Sequence, residues 1–105
     1  MGVQTVKAVR EHSAARNPAF AVLAYLADRV FEENIERDEG ALAWPSQATI
    51  ARDTRWSQRT VTRALRELAD DNEIFDTELR EGKAYQRTVV WAVLPDVFGY
   101  GEGKP

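Results

Sequence analysis

The stretch from Pro45 to Leu68, PSQATIARDTRWSQRTVTRALREL, limits what the chain can fold into more than any other. It holds two segments of helical periodicity, each opened by a serine and separated only by Thr54, Arg55 and Trp56. Ser46, next to Pro45, is placed to cap the first helix, because its hydroxyl can accept an N–H group that a helix start leaves unbonded. Thr49, three residues on, adds little to that cap. Ile50 and Ala51 give this helix a small buried face, and the short side chain of Ala51 suits a close crossing by a second helix. Ser57 caps that second helix, whose Val61, Ala64, Leu65 and Leu68 recur at the three-and-four spacing of one helical face. The opposite face carries Gln58, Arg59, Thr62, Arg63 and Arg66, starting at the N-terminal turn.

Those side chains are the types that reach phosphates and base edges, and a recognition helix meets the major groove with its N-terminal turns. The segment resembles the winged helix-turn-helix domains of bacterial regulators and of phage and plasmid replication initiators. Their pattern is roughly W-P-S-x-x-x-L-A followed by S-x-x-T-V-x-R-A-L-x-x-L. Here it is carried by Trp44, Pro45, Ser46, Ile50, Ala51, Ser57, Thr60, Val61, Arg63, Ala64, Leu65 and Leu68. A fainter likeness runs from about His12 to Leu94. Two positions depart from the pattern. Arg55 stands where the family usually has Gly, and a left-handed conformation there costs about 1 kcal/mol for a residue with a Cβ. Asn72 stands where Gly usually ends the recognition helix, and Asn tolerates that conformation. The resemblance implies an α+β, mainly helical fold: three core helices plus a β-hairpin wing, with room for an extra N-terminal helix. It also implies DNA contacts from Ser46, Gln47, Arg55, Ser57, Gln58, Arg59, Thr60, Thr62, Arg63 and Arg66 on the helices and their turn.

A chain of 105 residues fits one domain with a single core and leaves no room beside it for a ligand-sensing domain. With 44% hydrophobic and 30% charged residues it reads as globular rather than disordered. No apolar run approaches the roughly 20 residues needed to span a bilayer. The N-terminus lacks the apolar core of a secretory signal, and without Cys there is neither a disulfide nor a thiolate metal site. A cytoplasmic setting is therefore expected, in a bacterial cell or phage-infected host and in association with the nucleoid. The net charge of −3 argues mildly against nucleic acid, because Lys and Arg supply most of the non-specific affinity. Its distribution argues the other way. Between Pro45 and Leu68, Arg52, Arg55, Arg59, Arg63 and Arg66 face only Asp53 and Glu67. The acids collect at Glu32, Glu33, Glu36, Asp38 and Glu39, and again at Asp70, Asp71, Glu73, Asp76 and Glu78, an asymmetry that orients a protein on a polyanion.

Residues 1–16 read as an arm or short helix, with Val3, Val6 and Val9 spaced by three. Such a stripe either covers the domain's own core or meets a second copy, making a homodimer through the N-terminal segment. The main domain spans 17–95. Asn17 as a side-chain cap and Pro18 at the first helical position start a core helix that the pattern extends to Ile35. Residues 36–40 form a polar loop, and Ala41 to Trp44 fit a short strand on the edge of a later hairpin. Trp56 is expected to plug the gap between the two helices rather than stack on a base. From Ile74 the period alternates, and the runs 74–79 and 84–94 form a hairpin whose tip, 80–83, contains Gly82. Arg80, Lys83 and Arg87 place positive charge on this wing, suited to phosphate or minor-groove contact, against Glu81. The last strand is dense enough in Val and Trp for both faces to be covered, one by the helices and one by the N-terminal segment. The Gly-rich tail, 96–105, is expected to be flexible apart from docking of Phe98 or Tyr100.

An enzyme is not expected. The one His, His12, lies in a weakly patterned segment, and there is no Cys nucleophile, Gly-rich phosphate loop or paired His, while the carboxylates look solvated. No cofactor, metal or small-molecule ligand is expected either. The remaining readings are sequence-specific binding of double-stranded DNA, by a small transcriptional regulator or a replication, excision or partition factor of a mobile element, and a winged helix used only for protein contact.

Overall fold

Helix α2 (Ala19–Asp28) is the post on which the other elements pack: α1 (Val3–His12), α4 (Gln47–Thr54), α5 (Gln58–Asp70) and strand β3 (Thr88–Val93) all lie against it. The structure, a computed structural model, describes residues 3–82 and 88–100. Among them are also the short helices α3 (Glu32–Glu36) and α6 (Pro95–Phe98) and the strands β1 (Leu42–Ala43) and β2 (Ile74–Glu81). The strands form an antiparallel sheet in the order β1-β3-β2, with Leu42 opposite Ala92 and Ile74 opposite Val93. This is the α+β winged helix, with α2, α4 and α5 as its core helices, β2 and β3 as its wing and α1 as an additional N-terminal helix. No helix among the described residues is long and apolar enough to cross a membrane.

The core joins Val22, Leu23 and Leu26 of α2 to Ile50 of α4, to Val61, Leu65 and Leu68 of α5 and to Ile74 and Val93 of the sheet. Removing each such side chain from water stabilises the fold by about 1.5–3 kcal/mol, so the apolar stripes decide which faces turn inward. The valine stripe of α1 turns toward this same core: Val9 is buried, Val6 packs on the cluster from its edge, and Val3 remains exposed.

Several details differ from the sequence reading. The core helix does not run unbroken from 17 to 35. It ends at Arg29, where the N–H groups of Arg29 and Val30 bond back only three residues, to Leu26 and Ala27. Val30 then drops into the core, Phe31 is extended, and α3 starts in a new direction with Glu32 and Glu33 in its first turn, where acids favour a helix start. Nor does Asn17 cap α2. The Asn17–Pro18 bond is cis, Pro18 itself occupies the cap position, and the Phe20 N–H finds the Arg16 carbonyl at 2.9 Å. The outer face of β3 is covered not by the N-terminal segment but by Trp44 and Tyr100, which close a second cluster of Leu42, Val90 and Ala92. Phe98 and Tyr100 both dock, as the tail's aromatics were expected to, and Tyr100 lies so close to Gly40 that a Cβ there would meet its ring at 2.8 Å. Residues 101–105 lie outside the described residues.

Glu73 is not solvated like its acidic neighbours. Its side chain is buried, accepts from the Ser13 hydroxyl and from the Ala14 N–H at 3.1 Å, and so ties the end of α1 to the exit of α5. Asn72, before it, takes the left-handed conformation expected of it, with φ 60°. One polar group pulls the other way. Thr5, on α1, is fully buried, and its hydroxyl has no hydrogen-bond partner among the described residues. Thr5→Val, which keeps the branched shape and removes the hydroxyl, is expected to raise stability by about 1 kcal/mol. A urea midpoint that falls, at unchanged denaturant slope, would show that the hydroxyl stabilises α1 instead.

Candidate nucleic-acid interface

Two matching caps set the geometry of the helix pair. The Ser46 hydroxyl oxygen accepts from the Thr49 N–H at 3.1 Å and donates to the Thr49 hydroxyl at 2.9 Å; Ser57 and Thr60 repeat both contacts at the same distances. Thr49 thus takes a larger part than its position promised. Between the helices Arg55 adopts the left-handed conformation, φ 65° and ψ 14°, at the place where the resembled pattern has Gly. The Thr62 hydroxyl then links the helices, with the Gln47 side-chain oxygen at 2.6 Å and the Gln58 carbonyl at 3.0 Å.

These bonds divide the candidate contact residues into two groups. Ser46, Ser57 and Thr60 are engaged in capping their own helices, and Gln47 and Thr62 in joining α4 to α5. Arg55, Gln58, Arg59, Arg63 and Arg66 are exposed, and none of the four arginines has an ion-pair partner among the described residues. At about 100° per residue, Arg59, Arg63 and Arg66 fall within a stripe about 60° wide, opposite the buried Val61, Ala64, Leu65 and Leu68. The arrangement offers a polyanion a ridge of uncompensated guanidiniums on a helix whose other side is fixed in the core.

The remaining basic residues are placed differently. Arg52 binds Asp53 at 3.0 Å, and Asp53 also takes the Tyr25 hydroxyl at 2.5 Å and Arg29 at 3.3 Å, a junction of α2 with α4 that no sequence signal announced. The arginine, with the tyrosine hydroxyl after it, holds the Asp53 carboxyl below the usual carboxylate range. Burial, reinforced by the bond to Asp53, pushes the Tyr25 hydroxyl up. On the wing, β2 runs on to Glu81, so Arg80 lies within the strand opposite Val89 rather than at the tip. A bulge with Glu78 at φ 69° brings Arg80 back onto Asp76 at 3.0 Å. Lys83 and Arg87 lie outside the described residues. Trp56 does not plug the helix pair. Ile50 of α4 and Val61 of α5 are both fully buried in the core, and the indole is left 40% exposed.

A depressed carboxyl pKa contributes stability above its unfolded value and loses it as pH falls through the folded one, so the Asp53 junction should fail only below about pH 4. Asp53→Asn is expected to shrink the loss of stability seen between about pH 5 and pH 2; an unchanged acid limb in urea titrations would show the junction to be idle. Arg55→Gly is expected to raise stability by about 1 kcal/mol by relieving the left-handed backbone, and a lower thermal midpoint would contradict the strain.

A family model described as the replication protein C N-terminal domain matches residues 2–100. Neither a curated protein nor a solved structure matches the chain.

Proposed function

The chain belongs to the replication protein C N-terminal domain family, and from that replication-related premise we propose that it binds double-stranded DNA at the replication origin of a phage or plasmid. The recognition element is α5, lying in the major groove with Arg59 and Arg63 toward base edges, Gln58 beside them, and Arg55 and Arg66 toward phosphates. The observation that carries this reading is the ridge of exposed, unpaired arginines on a face opposite the core. The acids at Glu33 and Glu36 belong to α3, while Asp70 lies on the same face of α5 as the arginines and bounds the ridge one turn beyond Arg66.

Chemically, an arginine that reads guanine does so through two parallel N–H donors, which a lysine cannot reproduce, and contributes about 1–3 kcal/mol of discrimination. A phosphate contact weakens every sequence alike when lost. Thr62, Gln47 and the serine caps act one step back, by fixing the rotation of α5 about its axis. On the wing, Arg80 is already neutralised by Asp76, so it adds less to DNA affinity than an arginine of α5.

Selection of bound duplexes from a random pool should return a shared motif. Arg59→Ala and Arg63→Ala are each expected to weaken binding to that motif by about 1–3 kcal/mol and to relax it at one position. Removing a phosphate-contacting arginine, Arg66→Ala, should reduce the slope of log affinity against log salt by about 0.9, with Arg80→Ala changing it less. Binding that is indifferent to salt and to all of these substitutions would favour a winged helix used for protein contact.

A further inference from the structure

The run from Arg55 to Arg59 is exposed at every residue, and Trp56 is its one apolar member. The other two tryptophans of the chain pack onto hydrophobic clusters, Trp91 on the main core and Trp44 on the outer face of the sheet. Trp56 keeps 40% of its surface in water. Among the described residues its ring makes no aromatic or cation–π contact, and its N–H makes no hydrogen bond. An indole carries more apolar surface than any aliphatic side chain, so leaving it in water forgoes burial that a bound partner can recover.

The place of Trp56 in the chain fixes what that partner presents to it. Arg55, before it, holds the left-handed conformation that ends α4, and Ser57, after it, is the extended cap of α5. Trp56 is therefore two residues from Gln58, with Cα atoms no more than about 8 Å apart, at the end of α5 with which a recognition helix enters the major groove. No carboxylate occurs between Thr54 and Arg66, a stretch that holds Arg55, Arg59 and Arg63. Charge of one sign around an exposed indole suits a polyanion that has an apolar feature of its own. In the major groove of duplex DNA, the apolar group that base edges display is the 5-methyl of thymine. The inference rests on the DNA-binding reading, in which Arg55 takes a phosphate and Gln58 and Arg59 face base edges, with Trp56 between them in the chain. We propose that Trp56 reads thymine, its indole packing on the 5-methyl group of one thymine where the N-terminus of α5 enters the major groove.

The test is fluorescence anisotropy on the full chain with labelled duplexes carrying the selected motif. It adds copies in which one thymine at a time is replaced by deoxyuridine, which lacks only the methyl group. At one thymine this replacement is expected to weaken binding about three- to fivefold, the worth of one methyl group removed from water. Trp56→Ala should weaken binding to the unmodified motif by at least that factor and make the protein indifferent to the same methyl. Trp56→Gln, which keeps a long side chain and removes the apolar face, should do likewise, so either variant decides if the other does not fold. A motif without thymine, no methyl effect at any thymine, or a methyl effect that survives both substitutions would overturn the proposal. So would an equal loss on the motif and on random duplex, which would place the indole against the sugar-phosphate backbone. Those outcomes leave the DNA-binding reading standing, whereas a parent protein that binds no duplex ends both.

Discussion

Burial of one face of α5 against α2 is the interaction on which everything else in this domain depends. Val61, Ala64, Leu65 and Leu68 go inward together with Val22, Leu23 and Leu26, at about 1.5–3 kcal/mol for each large side chain. Other terms are smaller. A serine cap contributes about 1 kcal/mol, and like charges four residues apart on a helix cost a few tenths. Helix α5 can therefore carry Arg59, Arg63 and Arg66 in a row, because the repulsion among them is small beside the burial that fixes the opposite face, and Glu67 and Asp70, four residues after Arg63 and Arg66, offset part of it.

The same comparison explains how an acidic protein can offer a cationic surface. Three arginines outside the ridge are paired within the fold: Arg29 and Arg52 share Asp53, and Arg80 takes Asp76. These exposed pairs contribute little to stability, roughly 0–1 kcal/mol each, but they remove positive charge from places where it would bind a polyanion without register. Among the described residues, the densest run of arginines without an ion pair lies on α5 and the turn before it. The net charge of −3 is thus unevenly spread, with the arginines of α5 forming a cationic patch on an acidic protein.

The elements around α5 fix its position from both ends. At its start, Thr62 and Gln47 tie it to α4. At its end, Asn72 in the left-handed region turns the chain, and the buried carboxylate of Glu73 reaches across to Ser13 and Ala14. Helix α1 belongs to this clamp, since its last residues lead directly to the hydrogen-bond donors that satisfy Glu73. The wing shares strand β3 with β1, so the segment leading into α4 and the segment leaving α5 are joined through one sheet.

The sequence by itself determined whatever depends on neighbours within a few residues. Both serine caps, the apolar stripe of α5 and the change of period at Ile74 are local signals, and each was legible, whereas the left-handed positions Arg55 and Asn72 were marked only by the resembled pattern, which has Gly at both. The ridge of arginines was legible too, because helical spacing alone puts Arg59, Arg63 and Arg66 on one side. Tertiary structure decided the rest. Glu73 is buried because Ser13 and Ala14, some sixty residues earlier in the chain, supply its donors. Trp56 stays partly in water, outside the core that Ile50 and Val61 join. Helix α2 stops at Arg29 so that Val30 can enter the core and Phe31 can meet Trp44. Arg80 turns to Asp76 because a bulge in β2 changes the register against β3. In each case the outcome depends on which distant side chain claims a given volume or donor first, and periodicity along the chain carries no information about that competition.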